Sequence, residues 1–134
     1  MLIIDNTTVV VYSYDELKSA LEGTYTYVYL GSNIVISNGI KINRLTKEVI
    51  INGTYEGVTY SLEDKKSLSA SDTITVSSNV TTKITVCNLR FIGYNYYGII
   101  YIPDSNTYKD TTIEYKNIVY TGPQMAFNPY GLTR

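Results

Sequence analysis

Residues 73–93 read TITVSSNVTTKITVCNLRFIG, and residues 98–122 read GIIYIPDSNTYKDTTIEYKNIVYTG. The two segments are copies of one unit. Each holds two short β-branched or aromatic runs with a polar turn between them. Each then has an Asn followed five positions later by a Gly: Asn88 and Gly93, Asn117 and Gly122. A weaker copy upstream pairs Asn52 with Gly57. Repeats of about 20–30 residues made of strands and turns imply a solenoid, because so small a unit buries apolar side chains only by stacking on its neighbours.

Aligning the copies on the Asn assigns faces. Two residues before it stand Ile50, Val86 and Tyr115; one residue after it stand Gly53, Leu89 and Ile118. Three residues after it stand Tyr55, Phe91 and Tyr120, the expected aromatic column of the core. Strand side chains alternate faces, so these columns are expected inside, stacked about 4.8 Å apart. Val49, Thr85 and Glu114 are expected outside, as are Thr54, Arg90 and Val119. Asn52, Asn88 and Asn117 are expected to form a corner ladder, their amides bonded to neighbouring rungs and to turn backbone.

Working outward, Val9–Tyr12, Tyr25–Leu30, Ile34–Ile36, Ile40–Ile42 and Val49–Ile51 read as strands. The Asn-Gly pairs at 38–39 and 52–53 fit corners that need positive φ. Residues 12–23 read as a helix. Ser13 is an N-cap with Glu16 three residues on, and Tyr12 and Leu17 hold the staple positions. Leu17, Ala20 and Leu21 make an apolar stripe, and Gly23 ends it. So short a helix needs packing, and covering the first rung of the stack provides it. Asp15 and Glu16 read as capping acids. Residues 61–72 (SLEDKKSLSASD) break the spacing and read as a solvated excursion loop. The expected architecture is one domain over residues 1–134: an all-β, right-handed parallel β-helix with an N-terminal capping helix, part of a larger domain or protein.

Composition narrows the function. Eleven basic and twelve acidic residues leave a net charge of −1, which argues against nucleic acid as a partner. With no His and a single Cys, imidazole catalysis, a His or Cys metal site and an internal disulfide are excluded. Cys87 reads as a small buried hydrophobe. No apolar run approaches the about 18 residues of a membrane span, so no membrane insertion is expected. The start MLIID has neither a basic region nor a long apolar core, so no signal peptide is read there. Fifteen Tyr beside two Phe and no Trp suit half-buried sheet positions and binding surfaces alike.

The strings NYYGIIYIPDS (95–105), IEYKNIVYTGPQ (113–124) and NPYGLTR (128–134) occur in that order. They resemble the pectate lyase-like adhesive domains of Gram-positive bacterial surface proteins, closely over residues 73–134 and in architecture alone over 1–60. The resemblance implies a β-helix within a larger cell-wall adhesin, without lyase chemistry, located outside the cell or on its wall. It also implies further coils after Arg134, and an open last rung invites self-association through that end.

A lyase on such a fold needs outward carboxylates on adjacent coils to hold calcium, and a base for the proton beside the sugar carboxylate. A hydrolase needs clustered acids. The outward columns carry one charge at most. Glu114 near Arg90 reads as a surface ion pair, and Asp104 and Asp110 read as turn formers. No catalytic residue, metal or cofactor is assigned. The candidate ligand-binding residues are Tyr94, Asn95, Tyr96, Tyr97, Tyr101, Asn106 and Tyr108 around one coil edge, where rings stack on sugar faces and amides bond hydroxyls. The expected function is a non-catalytic surface adhesion domain that binds a glycan or another host or cell-wall component. A polysaccharide lyase or glycoside hydrolase with acids beyond Arg134, and a structural spacer, are the alternatives.

Overall fold

The computed structural model describes residues 1–42, 48–64, 74–76, 83–94, 98–101 and 112–123. Among them the chain forms β1 (Leu2–Ile3), β2 (Thr8–Val11), α1 (Tyr14–Leu21), β3 (Tyr27–Leu30), β4 (Ile34–Val35), β5 (Ile40–Ile42) and β6 (Glu48–Asn52). There follow β7 (Thr54–Tyr55), β8 (Val58–Thr59), β9 (Ser61–Glu63), β10 (Ile74–Val76), β11 (Lys83–Ile92), β12 (Ile100–Tyr101) and β13 (Thr112–Thr121). The protein is thus mostly β, with one short helix among the described residues.

Parallel pairing dominates. β2, β3, β6, β11 and β13 lie side by side in parallel, with β1 antiparallel on the outside of β2. The second half of β11 also pairs in parallel with β9, and β9 with β4. A separate parallel ladder joins β5, β10 and β12. Because the register is kept from strand to strand, side chains stack in columns. Val9, Val28, Ile51, Val86 and Tyr115 make one; Ile34, Leu62, Phe91 and Tyr120 make another. Ile40, Ile74 and Ile100 make a third. These columns meet in one core where β-branched residues fill the pleats.

The Asn and Gly of the repeat have separate duties. Asn88 and Asn117 both sit at φ 55°, the left-handed region that a short amide side chain tolerates. There β11 and β13 turn a corner without ending. Asn117 Nδ2 donates to Asn88 Oδ1 at 3.0 Å, and Asn88 Nδ2 to Asn52 Oδ1 at 3.4 Å. Beyond the corner the Phe91 and Tyr120 rings stack 5.8 Å apart, with their planes 12° from parallel. A Cβ at Gly93 would overlap the Tyr120 hydroxyl, so the Gly makes room for the aromatic column.

The helix forms for local reasons. Glu16 N–H donates to Ser13 Oγ at 3.2 Å, while the Glu16 carboxylate accepts from Tyr12 N–H at 2.8 Å and from the Met1 amino group at 2.6 Å. The amino group foremost, with the Tyr12 N–H, holds this carboxyl below its usual range. Leu17, Ala20 and Leu21 are fully buried, and α1 packs on β2, β3 and β5. Gly23 follows the C-cap Glu22 without entering the left-handed region.

The upstream copy departs from the alignment. Asn52 is in register with Cys87 rather than Asn88. Val49, expected outside, is therefore buried, and Ile50, expected inside, faces out beside Thr85. Just downstream, after Gly53 N–H donates to Cys87 O at 2.9 Å, the chain leaves the stack. It makes the antiparallel hairpin β7–β8 around Glu56 and Gly57. Thr54 and Tyr55 belong to that hairpin, so Tyr55 is not in the core aromatic column, and Leu62 stands beside Phe91 in its place. The excursion is thus residues 54–59. Ser61–Glu63, expected to begin a loop, is strand β9, with Leu62 and Asp64 buried. Its lone apolar residue hid a rung of minimal length, and residues 65–72 lie outside the described residues. The positive φ expected at Asn38-Gly39 and Asn52-Gly53 is absent; Glu56, Gly57, Gly98 and Gly122 carry it instead, besides Asn88 and Asn117.

Candidate functional site

On the ladder of β5, β10 and β12, register sets Lys41, Thr75 and Tyr101 in one row. Their strand neighbours Ile40, Ile42, Ile74, Val76 and Ile100 are buried, so the row faces outward. The last turn of α1 and the turn at Asn38-Gly39 stand beside it. Together they enclose a cleft of about 300 Å³ lined by Lys18, Glu22, Asn38, Lys41 and Thr75.

The walls of this cleft are tied to one another. Tyr14 Oη donates to Gly39 O at 2.9 Å, and Lys18 Nζ donates to both Glu22 oxygens at 2.6 Å. Lys41 N–H donates to Glu22 Oε2 at 3.2 Å. Burial by itself would raise the Glu22 carboxyl, but Lys18 and the Lys41 N–H hold it below its usual range. The same carboxylate raises Lys18, and burial raises the Tyr14 phenol. A carboxyl held ionised and an ammonium held protonated exchange no proton near neutrality. What they offer a ligand is fixed charge and hydrogen-bonding groups.

The expected site residues fall in different places. Tyr101 stands in the cleft's row, beyond Thr75. Tyr94 lies past the end of β11, where its hydroxyl donates to Glu63 Oε2 at 2.8 Å, a bond that raises the phenol. Asn95, Tyr96, Tyr97, Asn106 and Tyr108 lie outside the described residues, as do Asp104 and Asp110. The expected Glu114–Arg90 pair is replaced. Glu114 Oε1 stands 3.6 Å from Lys83 Nζ and 3.4 Å from Lys116 Nζ, and Arg90 Nη2 donates to Thr59 O at 3.2 Å. Glu114 is opposite Thr85, and Arg90 lies beyond the Asn88 corner of β11. Cys87 is buried; burial pushes its thiol up, against a smaller pull from Lys116.

Lys18, Glu22, Asn38, Lys41 and Thr75 escaped the sequence reading. Lys41 and Thr75 are the single polar residues of IKI and ITV, the outward mark of a strand, but nothing in the Asn-to-Gly spacing aligns those two strands. Among the described residues no group of three His, Cys, Asp or Glu could hold a metal ion, and no helix is long and apolar enough to cross a membrane.

Residues 8–127 match the family described as "Putative pectate lyase-like adhesive domain". The fold is similar to the solved structure of a serine-rich repeat adhesin (SRRP) of Lactobacillus reuteri 100-23, with a TM-score of 0.67 at 20% identity. The match covers 98% of this chain and 35% of that one, so the chain spans about a third of the adhesin's length. No curated protein matches the chain.

Proposed function

Because the chain belongs to the pectate lyase-like adhesive domain family, we propose that it is a non-catalytic adhesion module of a bacterial surface protein that binds a glycan in the cleft between α1 and the β5–β10–β12 ladder. The parallel ladders are then the faces of a right-handed parallel β-helix, with α1 over its first rung. The register columns and the unbroken corners at Asn88 and Asn117 support that architecture. The observation that carries the binding reading is the outward row Lys41, Thr75 and Tyr101 beside the cleft that Lys18, Glu22 and Asn38 help to line. Tyr101 offers a ring to a sugar face, Thr75 and Asn38 offer groups to its hydroxyls, and Lys41 offers a cation. The mutual pairing of Lys18 and Glu22 supports recognition over proton transfer.

A glycan array tests this, with Lys41→Ala/Tyr101→Ala and Tyr96→Ala/Tyr97→Ala as paired variants and circular dichroism to confirm folding. Saturable binding lost in the first variant is expected. Loss in the second variant alone moves the site to the Tyr-rich coil edge. A folded wild-type chain that binds nothing overturns the reading in favour of a spacer, and cation-dependent cleavage of an acidic polysaccharide overturns it in favour of a lyase.

A further inference from the structure

The hairpin β7–β8 is pinned over the outer face of the first ladder. Asn52 Oδ1 accepts from Thr54 N–H at 2.9 Å, Thr54 Oγ1 donates to Asn88 O at 3.0 Å, and Arg90 Nη2 holds Thr59 O. At its tip Glu56 has φ 51° and Gly57 φ 81°. Two left-handed residues in a hairpin turn suit Asn-Gly or Asp-Gly, and Glu is an unusual choice there. An exposed Glu kept in a disfavoured conformation points to a role beyond folding.

The hairpin brings Tyr55 onto Tyr29, with ring centroids 5.7 Å apart and planes at 52°, an open corner rather than a closed stack. Tyr29 stands in the row of Val10 and Asn52. Tyr12 supplies another ring. It lies on Gly31, where any Cβ would overlap it, yet the residue remains 43% exposed. One face of this ring is thus fixed from below while the rest meets solvent. Tyr12 follows Val11, which stands opposite Leu30, so it continues the β2 side of the row next to Tyr29. Loss of hydration raises the Tyr55 phenol, and Glu56 and then Tyr12 add to the rise.

We propose that Tyr12, Tyr29 and Tyr55, with Glu56 beside them, form a second saccharide site that takes a neutral glycan. It rests on the reading of the domain as a glycan binder but uses none of the cleft's residues. Rings already held in place stack on sugar C–H faces at little cost in side-chain freedom, and their hydroxyls bond those of the sugar. Glu56 accepts hydrogen bonds from sugar hydroxyls and repels carboxylate or sulfate groups, which sets the class.

The test titrates the 134-residue chain with neutral cellohexaose, maltohexaose and chitohexaose and with acidic hexagalacturonate, read by calorimetry. Saturable binding of a neutral hexamer is expected. Tyr12→Ala and Tyr55→Ala should each weaken it about tenfold. Tyr55→Phe should stay within a few-fold of wild type, which separates ring stacking from hairpin folding. Glu56→Gln should improve binding of the acidic hexamer. Neutral binding insensitive to Tyr12 and Tyr55 overturns the proposal, as does capture of a proline-rich peptide instead of sugar. Acidic-glycan binding at the cleft with no neutral binding overturns this site alone, and a folded chain that binds no glycan overturns both readings.

Discussion

Asn52 and Asn88 are the same residue at neighbouring rungs, joined by a side-chain hydrogen bond, and the chain does opposite things after each. At Asn88 a φ of 55° bends β11 and keeps it in the stack, so Leu89 and Phe91 return to the core. Asn52 keeps φ out of that region, and its amide oxygen turns instead to Thr54 N–H, starting a hairpin. A repeated side chain therefore does not fix a repeated backbone. The φ it adopts decides whether the next residues are core or surface.

The largest expected effect separates the two exits. Phe91→Ala opens a cavity in a fully buried column and should cost about 3–5 kcal/mol in urea unfolding. Tyr55→Ala, at the equivalent place of the upstream copy, should cost about 1 kcal/mol or less, because its ring packs on the outer surface. Equal losses would return Tyr55 to the core.

A smaller effect tests the corner itself. Asn88→Ala loses the ladder bonds and forces Ala into the left-handed region, for about 2–3 kcal/mol together. Asn88→Gly should cost about 1 kcal/mol less than Asn88→Ala, because Gly accepts that φ. At position 52 the order should reverse, with Gly the worse of the two. The same order at both sites would contradict the difference in φ.

Much of this was legible in the chain. The pairing of β11 with β13 follows the Asn-to-Gly alignment residue for residue, since both copies keep the corner and the aromatic at its third position. The helix was legible because Ser13, Glu16 and Leu17 act within a few residues of one another. The upstream rung was not. Glu56-Gly57 is a weak hairpin signal, so an apparent Asn-to-Gly copy concealed a departure, and Leu62 alone gave no sign of a strand. The cleft was illegible for another reason. It is assembled from a helix end, a turn and strands whose alignment exists only once the ladder is built.

Two finer tests remain. Glu56→Asn restores the residue that the turn prefers and should stabilise the protein by about 0.5–1 kcal/mol, read as a higher urea midpoint. The smallest effect concerns Glu22, whose folded-state pKa lies below the ordinary 4.5. Its contribution is complete above that value and disappears as pH falls through the lowered one. Glu22→Gln should therefore flatten the acid limb of the stability profile below about pH 4.5 and leave the shape near neutrality unchanged.

The corner at Asn88 has a mechanical side. β11 is one uninterrupted strand shared by two faces, bonded to β6 and β9 on one edge and to β13 on the other. The hairpin is moored to it at Asn88 O and through Arg90. Tension applied at the hairpin thus enters the strand whose hydrogen bonds are spread over the most neighbours, and many bonds share it instead of parting one at a time. A tether fixed at that point grips an interior strand and not an edge.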